Sequence, residues 1–209
     1  MPEELRSSEI IRRLSVAYPN ARIALKYSNP LELLVAVILS AQCTDQVVNR
    51  ITAPLFKKYT SVEDYASVEV AEFETDIKSA GFYRNKAKNI IATANLIKEK
   101  FGGKVPSTMA ELITLPGVAR KTANIVLYNA YGITDGIAVD THVARLSQRL
   151  GLSANKDPVK IEKDLMQIIP QKIWGSFSYL LIEHGRAVCI ARKPKCKICT
   201  LNDICPSAP

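Results

Sequence analysis

Seven consecutive apolar residues, Leu33 to Leu39, lie inside a segment from Leu31 to Gln42 that is apolar nearly all round. A helix without a polar face must be covered on every side, so this stretch predicts a central helix with other elements wrapped about it. Asn29-Pro30 supplies a cap and first turn for it. The run is too short to span a bilayer. Its end, Ser40-Ala-Gln-Cys-Thr-Asp45, turns polar abruptly, and Thr44 or Asp45 can cap a further helix from about Gln46 to Lys58. Cys43, beside the apolar helix, reads as a small buried hydrophobe.

The rest of the chain repeats the helical period. Ser8 to Tyr18 predicts a helix with Ile10, Leu14 and Ala17 on one face, ended by Pro19. Glu69 to Ala80 predicts another, broken by Gly81, and Ile90, Ile91, Ala94 and Ile97 mark the next. Later stripes run through Val139, Val143, Leu146 and Leu150, then Ile161, Leu165, Ile168 and Ile169, then Trp174, Phe177 and Leu181. Asp135-Gly136 is a hairpin signal without flanking strands, so it reads as an interhelical loop. No segment alternates as a strand. The expected fold is all-α, with about ten helices of ordinary length.

One junction carries chemistry. Met109 to Leu115 predicts a short helix, and Ala123, Val126, Leu127, Ala130 and Tyr131 form the stripe of a second that starts near Ala119. Pro116 and Gly117 stand between them, giving a helix, a tight glycine hairpin and a helix. The first amides of the second helix lack intrahelical partners and suit a phosphate. Lys121 lies in that first turn, where the macrodipole penalises a positive charge. A lysine so placed beside a phosphate-binding turn points to a nucleophile acting on nucleic acid. Gly81-Phe-Tyr-Arg-Asn-Lys-Ala faintly echoes Gly117-Val-Ala-Arg-Lys-Thr-Ala, and both would be turns that feed a helix.

The net charge of +8 favours a polyanionic partner. The first residues show no signal-peptide pattern, so a soluble, cytoplasmic protein with no membrane partner is expected. Four of the five cysteines fall in the spacing Cys189-x6-Cys196-x2-Cys199-x5-Cys205. In a reducing compartment this clustering indicates a metal site rather than disulfides. Zinc sites usually bring two Cys-x2-Cys knuckles and here there is one, so a 4Fe–4S cluster is favoured over zinc. Arg186, Arg192, Lys193, Lys195 and Lys197 surround these cysteines, with no acid between His184 and Asn202. Such a loop can contact a phosphate backbone, or offset the negative charge of the cluster.

Taken in order, Leu39-Ser-Ala-Gln-Cys-Thr-Asp45, Leu115-Pro-Gly-Val-Ala-Arg-Lys-Thr-Ala-Asn124, Val139-Asp-Thr-His-Val-Ala-Arg145 and the four cysteines resemble the endonuclease III family of DNA glycosylases/AP lyases. The resemblance runs from about Leu31 to Cys205. It departs at Ala119, where the family hairpin often has a second glycine. It implies a six-helix barrel with the helix–hairpin–helix over 22–134. A second lobe, 1–21 with 135–209, would hold the 4Fe–4S cluster on Cys189, Cys196, Cys199 and Cys205. Double-stranded DNA carrying damaged pyrimidines or abasic sites would lie in the cleft between the lobes, bound by a monomer.

The same resemblance implies base excision repair of oxidised pyrimidines, with the target nucleotide flipped from the stack. Lys121 would attack the sugar C1′ and form a Schiff base, and β-elimination would cut 3′ to the lesion. Asp140 would stabilise the cationic transition state and assist proton transfers. Gln42 would fill the gap left by the flipped nucleotide, and Phe82 would wedge the opposite strand. Gly117, Val118 and Ala119 would give amides to a phosphate. His142 is a weaker candidate, and Arg192, Lys193 and Lys195 would meet the backbone. Two other readings compete: an adenine-excising relative, which lacks a lysine at the Lys121 position, and a non-catalytic iron–sulfur DNA-binding protein, which needs no Lys121–Asp140 pair.

Overall fold

The structure, a computed structural model, describes residues 3–209, with side chains from residue 5. The described residues are helical and contain no strand. They divide into two compact units, 24–133 and the residues up to Ile23 with Thr134–Pro209.

The first unit is built on α2 (Pro30–Ser40), whose Leu33 through Leu39 are all buried. Asn29 caps it, its Oδ1 accepting from the Glu32 amide at 2.9 Å. Around it lie α3 (Asp45–Lys58), capped by Thr44, then α4 (Val62–Ser67), α5 (Val70–Asp76) and α6 (Tyr83–Lys100). The unit closes with α7 (Met109–Leu112) and α8 (Arg120–Tyr131). Helices α3, α6 and α8 pack directly on α2. Tyr59, Tyr65 and Phe73 form an aromatic cluster with ring centroids 5.2 to 5.8 Å apart, Phe73 edge-on to both tyrosines and the tyrosines tilted 30° to each other.

Several expectations need correction here. The helix expected over Glu69 to Ala80 stops at Asp76, and Ile77 to Ala80 are turns. Helix α4 is an extra element, set by a capping box between Ser61 and Asp64. The helix from Met109 ends at Leu112, three residues early. Cys43 is only half-buried, because it follows α2 in the polar turn and lies outside the core face.

The second unit contains α1 (Glu3–Ala17), α9 (Thr141–Arg149), α10 (Pro158–Ile168) and α11 (Trp174–Ala187). Its core joins Ile10 and Leu14 of α1 to Val139, Val143, Leu146 and Leu150, Ile161 and Leu165, and Phe177 and Leu181. Helix α1 starts earlier than Ser8, and Ala17 is exposed because the helix ends there, beyond its packed face. A single 3₁₀ turn, Cys196–Ile198, lies in the C-terminal cysteine segment.

Candidate active site

The hairpin between α7 and α8 is fixed from both sides. Gly117 has φ +76°, a conformation that glycine adopts without cost. A Cβ there would also lie 2.8 Å from Nδ2 of Asn89, so the turn requires glycine on steric grounds as well. Thr93 Oγ1 donates to the Pro116 carbonyl at 2.9 Å, and the Val118 amide donates to the Leu115 carbonyl at 3.1 Å. Of the three residues expected to offer amides to a phosphate, Val118 has a buried side chain and an N–H that already donates within the turn. Ala119 is the N-cap of α8 and makes no side-chain cap bond. The N-cap residue of α8 therefore supplies no side-chain acceptor to its positive end. Lys121, one residue into the helix, is exposed.

Asp140 is the N-cap of α9. Its Oδ1 accepts from the amides of His142 and Val143, each at 2.8 Å, and its Oδ2 lies 3.3 Å from Nδ1 of His142. Three contacts lock the carboxylate in one orientation. His142 is half-buried, and in this arrangement its ring holds Asp140 in place.

Gln42 and Phe82 are both exposed, Phe82 at 66%. Both hold left-handed backbone, with φ of 51° and 58°. The only other non-glycine residue with positive φ among those described is Lys193, at 54°. Left-handed non-glycine residues cost about 1–3 kcal/mol each and persist only where their surroundings over-determine them, often at functional sites. A Cβ on Gly81 would lie 3.4 Å from the Gln42 carbonyl oxygen, so the two turns touch. The echo between the two glycine turns holds in outline, but the left-handed residue in this one is Phe82, not Gly81.

Cys189, Cys196, Cys199 and Cys205 line one cavity of about 250 Å³ with His184 and Arg149. Burial pushes the Cys199 thiol up, and the neighbouring Cys189, Cys205 and Cys196 push it the same way. Donors already aim at the sulfurs. Arg149 Nη1 lies 3.4 Å from Cys189 Sγ, and the Leu201 amide 3.4 Å from Cys199 Sγ. The same guanidinium donates to the carbonyls of Ile190 and Ala191 at 2.8 Å each. Arg192, Lys193 and Lys195 follow on the exposed loop, and Lys195 Nζ also donates to the Ala187 carbonyl at 3.2 Å.

A profile of HhH-GPD superfamily base excision DNA repair proteins matches residues 35–171. Endonuclease III of Synechocystis sp. is 55% identical over 97% of this chain and 93% of its own. Endonuclease III of Bacillus subtilis is 51% identical over 90% and 86%. The chain belongs to the endonuclease III family. A trapped covalent intermediate of endonuclease III with DNA superimposes at a TM-score of 0.94, with 43% identity, over 99% of this chain and 97% of that one. As a member of the endonuclease III family the protein is an enzyme of base excision repair, a DNA glycosylase/AP lyase.

Three residues of this endonuclease III family member support the site and were not singled out by sequence. Asn89 fills the space beside Gly117. Arg149 ties the first cysteine to the basic loop. Lys86 is buried, although it lies in a run of polar and charged residues. Its signal was positional: Lys86, Ile90, Ala94 and Ile97 share one helical stripe.

Proposed function

We propose that the protein excises oxidised pyrimidines from duplex DNA and cuts the strand through a Schiff base on Lys121. The observation that carries this reading is an exposed lysine in the first turn after a phosphate-ready hairpin, in a chain so similar to one captured covalently on DNA. Gly117 and Ala119 would seat a phosphate at the positive end of α8, which brings the sugar to the Lys121 amine. The amine attacks C1′ as the C1′–N bond to the damaged base breaks. Loss of an amine proton and opening of the C1′–O4′ bond give the imine, which acidifies the C2′ proton, and its removal breaks the C3′–O bond and releases the phosphate. Asp140 would meet the positive charge that develops on the sugar as the base leaves. Incubation with a duplex containing one oxidised pyrimidine should release the free base and leave a β-eliminated 3′ end. An excised base on an uncut strand would contradict the lyase half, and no release of oxidised pyrimidine would contradict the substrate.

Gln42 and Phe82 would occupy the gap left by the flipped nucleotide. Flipping costs a few kcal/mol, and an aromatic ring stacked on an orphaned base returns about 1–3 kcal/mol. Phe82→Ala is expected to slow excision from a fully paired duplex about tenfold or more, while opposite a gap or mismatch the effect is small. Single-turnover rates on the two substrates test this. Because Phe82 is 66% exposed, its melting temperature should hardly change. Equal slowing on both substrates would contradict the wedge role.

The four cysteines are proposed to hold a 4Fe–4S cluster. Only one Cys-x2-Cys pair is present, which fits a larger cubane better than one zinc, and the four thiols share a cavity of about 250 Å³. Such a cluster would brace the loop that presents Arg192, Lys193 and Lys195 to phosphates. Purified protein should be yellow-brown with about four irons per chain, unchanged in Cys43→Ser and lost in Cys199→Ser. A colourless protein with one zinc would contradict it.

A further inference from the structure

The end of α2 accounts for its own carbonyls almost entirely by local bonds. Ser40 Oγ donates to Val37 O at 2.7 Å, the Ala41 amide to Ile38 O at 3.5 Å, and the Cys43 amide to Ser40 O at 3.1 Å. The fourth terminal carbonyl, that of Leu39, accepts from a residue 47 positions away: Lys86 Nζ, at 2.8 Å, in a buried environment. Lys86 is 5% exposed. A cation is electrostatically favoured at a helix C-terminus. Leaving that carbonyl bare inside the unit would carry the full cost of an unpaired buried acceptor.

The placement is more specific than a structural cap requires. Gln42 lies three residues beyond Leu39 in the chain. The Lys86 amide donates to the Phe82 carbonyl at 3.2 Å, closing the first turn of α6 on Phe82. One side chain thus bridges the roots of the two turns that hold Gln42 and Phe82 in left-handed backbone, where those turns touch.

We infer that Lys86 is a positioning residue for strand opening, its buried bond to the Leu39 carbonyl holding the Gln42 and Phe82 turns in register with each other. The inference rests on the reading that Gln42 and Phe82 fill the gap. Without the tie, either turn can relax towards ordinary φ and carry its side chain out of place. Lys86 itself touches neither base nor sugar in this account.

Lys86→Met keeps the apolar stem and deletes the donor. It is expected to slow single-turnover excision from a fully paired duplex about ten- to a hundredfold, the scale of a misplaced contact remote from the chemistry. Excision opposite a gap should be largely preserved. Lys86→Gln, a shorter neutral donor, is expected to show the same preference and serves if Lys86→Met does not fold. Combined with Phe82→Ala, Lys86→Met should add little further slowing, because both act on one element. Phe82→Ala is measured alongside. If it shows the preference for the gapped substrate and the folded Lys86 variant slows both substrates alike, the inference is overturned and the gap-filling reading stands. If Phe82→Ala lacks the preference, the reading fails and the inference with it.

Discussion

Lys121→Gln is expected to abolish base release coupled to strand scission while leaving DNA binding and stability in place. The substitution is chosen for what it preserves. Glutamine has a helix propensity close to that of lysine. Lys121 is exposed, so the change should shift stability by less than about 0.5 kcal/mol. The hairpin that would seat the phosphate is held by Gly117, Asn89, Thr93 and Leu115, none of which depends on the lysine. What is lost is the amine, and an amide cannot form an imine with a sugar aldehyde. Binding to lesion duplex, followed by fluorescence anisotropy, should stay within the range of one lost phosphate contact. The salt dependence should then flatten by at most about one unit of slope. Retention of a normal cleavage rate would remove Lys121 from the mechanism.

Asp140→Asn separates the helix cap that the structure shows from the catalytic role proposed for the same carboxylate. Asp140 caps α9 through two amide bonds, and asparagine caps about as well as aspartate. The melting temperature should therefore barely move. If the carboxylate also faces a developing positive charge, its neutral isostere should slow base release about a hundred- to a thousandfold. Binding should weaken far less, because the charge matters most in the transition state. Asp140→Ala should by contrast lose both the cap, about 1 kcal/mol, and the rate. A rate in Asp140→Asn equal to that of the parent would leave Asp140 as a helix cap alone.

Much of this was legible in the sequence because periodicity and caps act locally. The apolar segment around Leu33 to Leu39 announced the central helix, and Asn29 and Thr44 cap their helices as their types require. The harder features depend on distant partners. Helix α4 is too short for a stripe and is set by Ser61 and Asp64. Val118 looked like an open amide until the turn bond to Leu115 was formed. Phe82 could have been core, and only the fold shows it exposed with left-handed backbone. Lys86 reads as one more surface charge beside Arg84 and Lys88, although its carbonyl partner lies 47 residues away. Lesion chemistry and the proposed covalent bond, in turn, involve the DNA, so the chain would express them only through where Lys121 and Asp140 stand.

The central claim is that the covalent bond to DNA forms on Lys121. Its most direct measurement is borohydride reduction of the enzyme on a lesion duplex, followed by proteolysis and mass spectrometry of the adduct. The account expects the reduced sugar on the peptide containing Lys121, at Nζ, and no adduct in Lys121→Gln. An adduct on another lysine or on the chain's α-amino group, undiminished in Lys121→Gln, would contradict it.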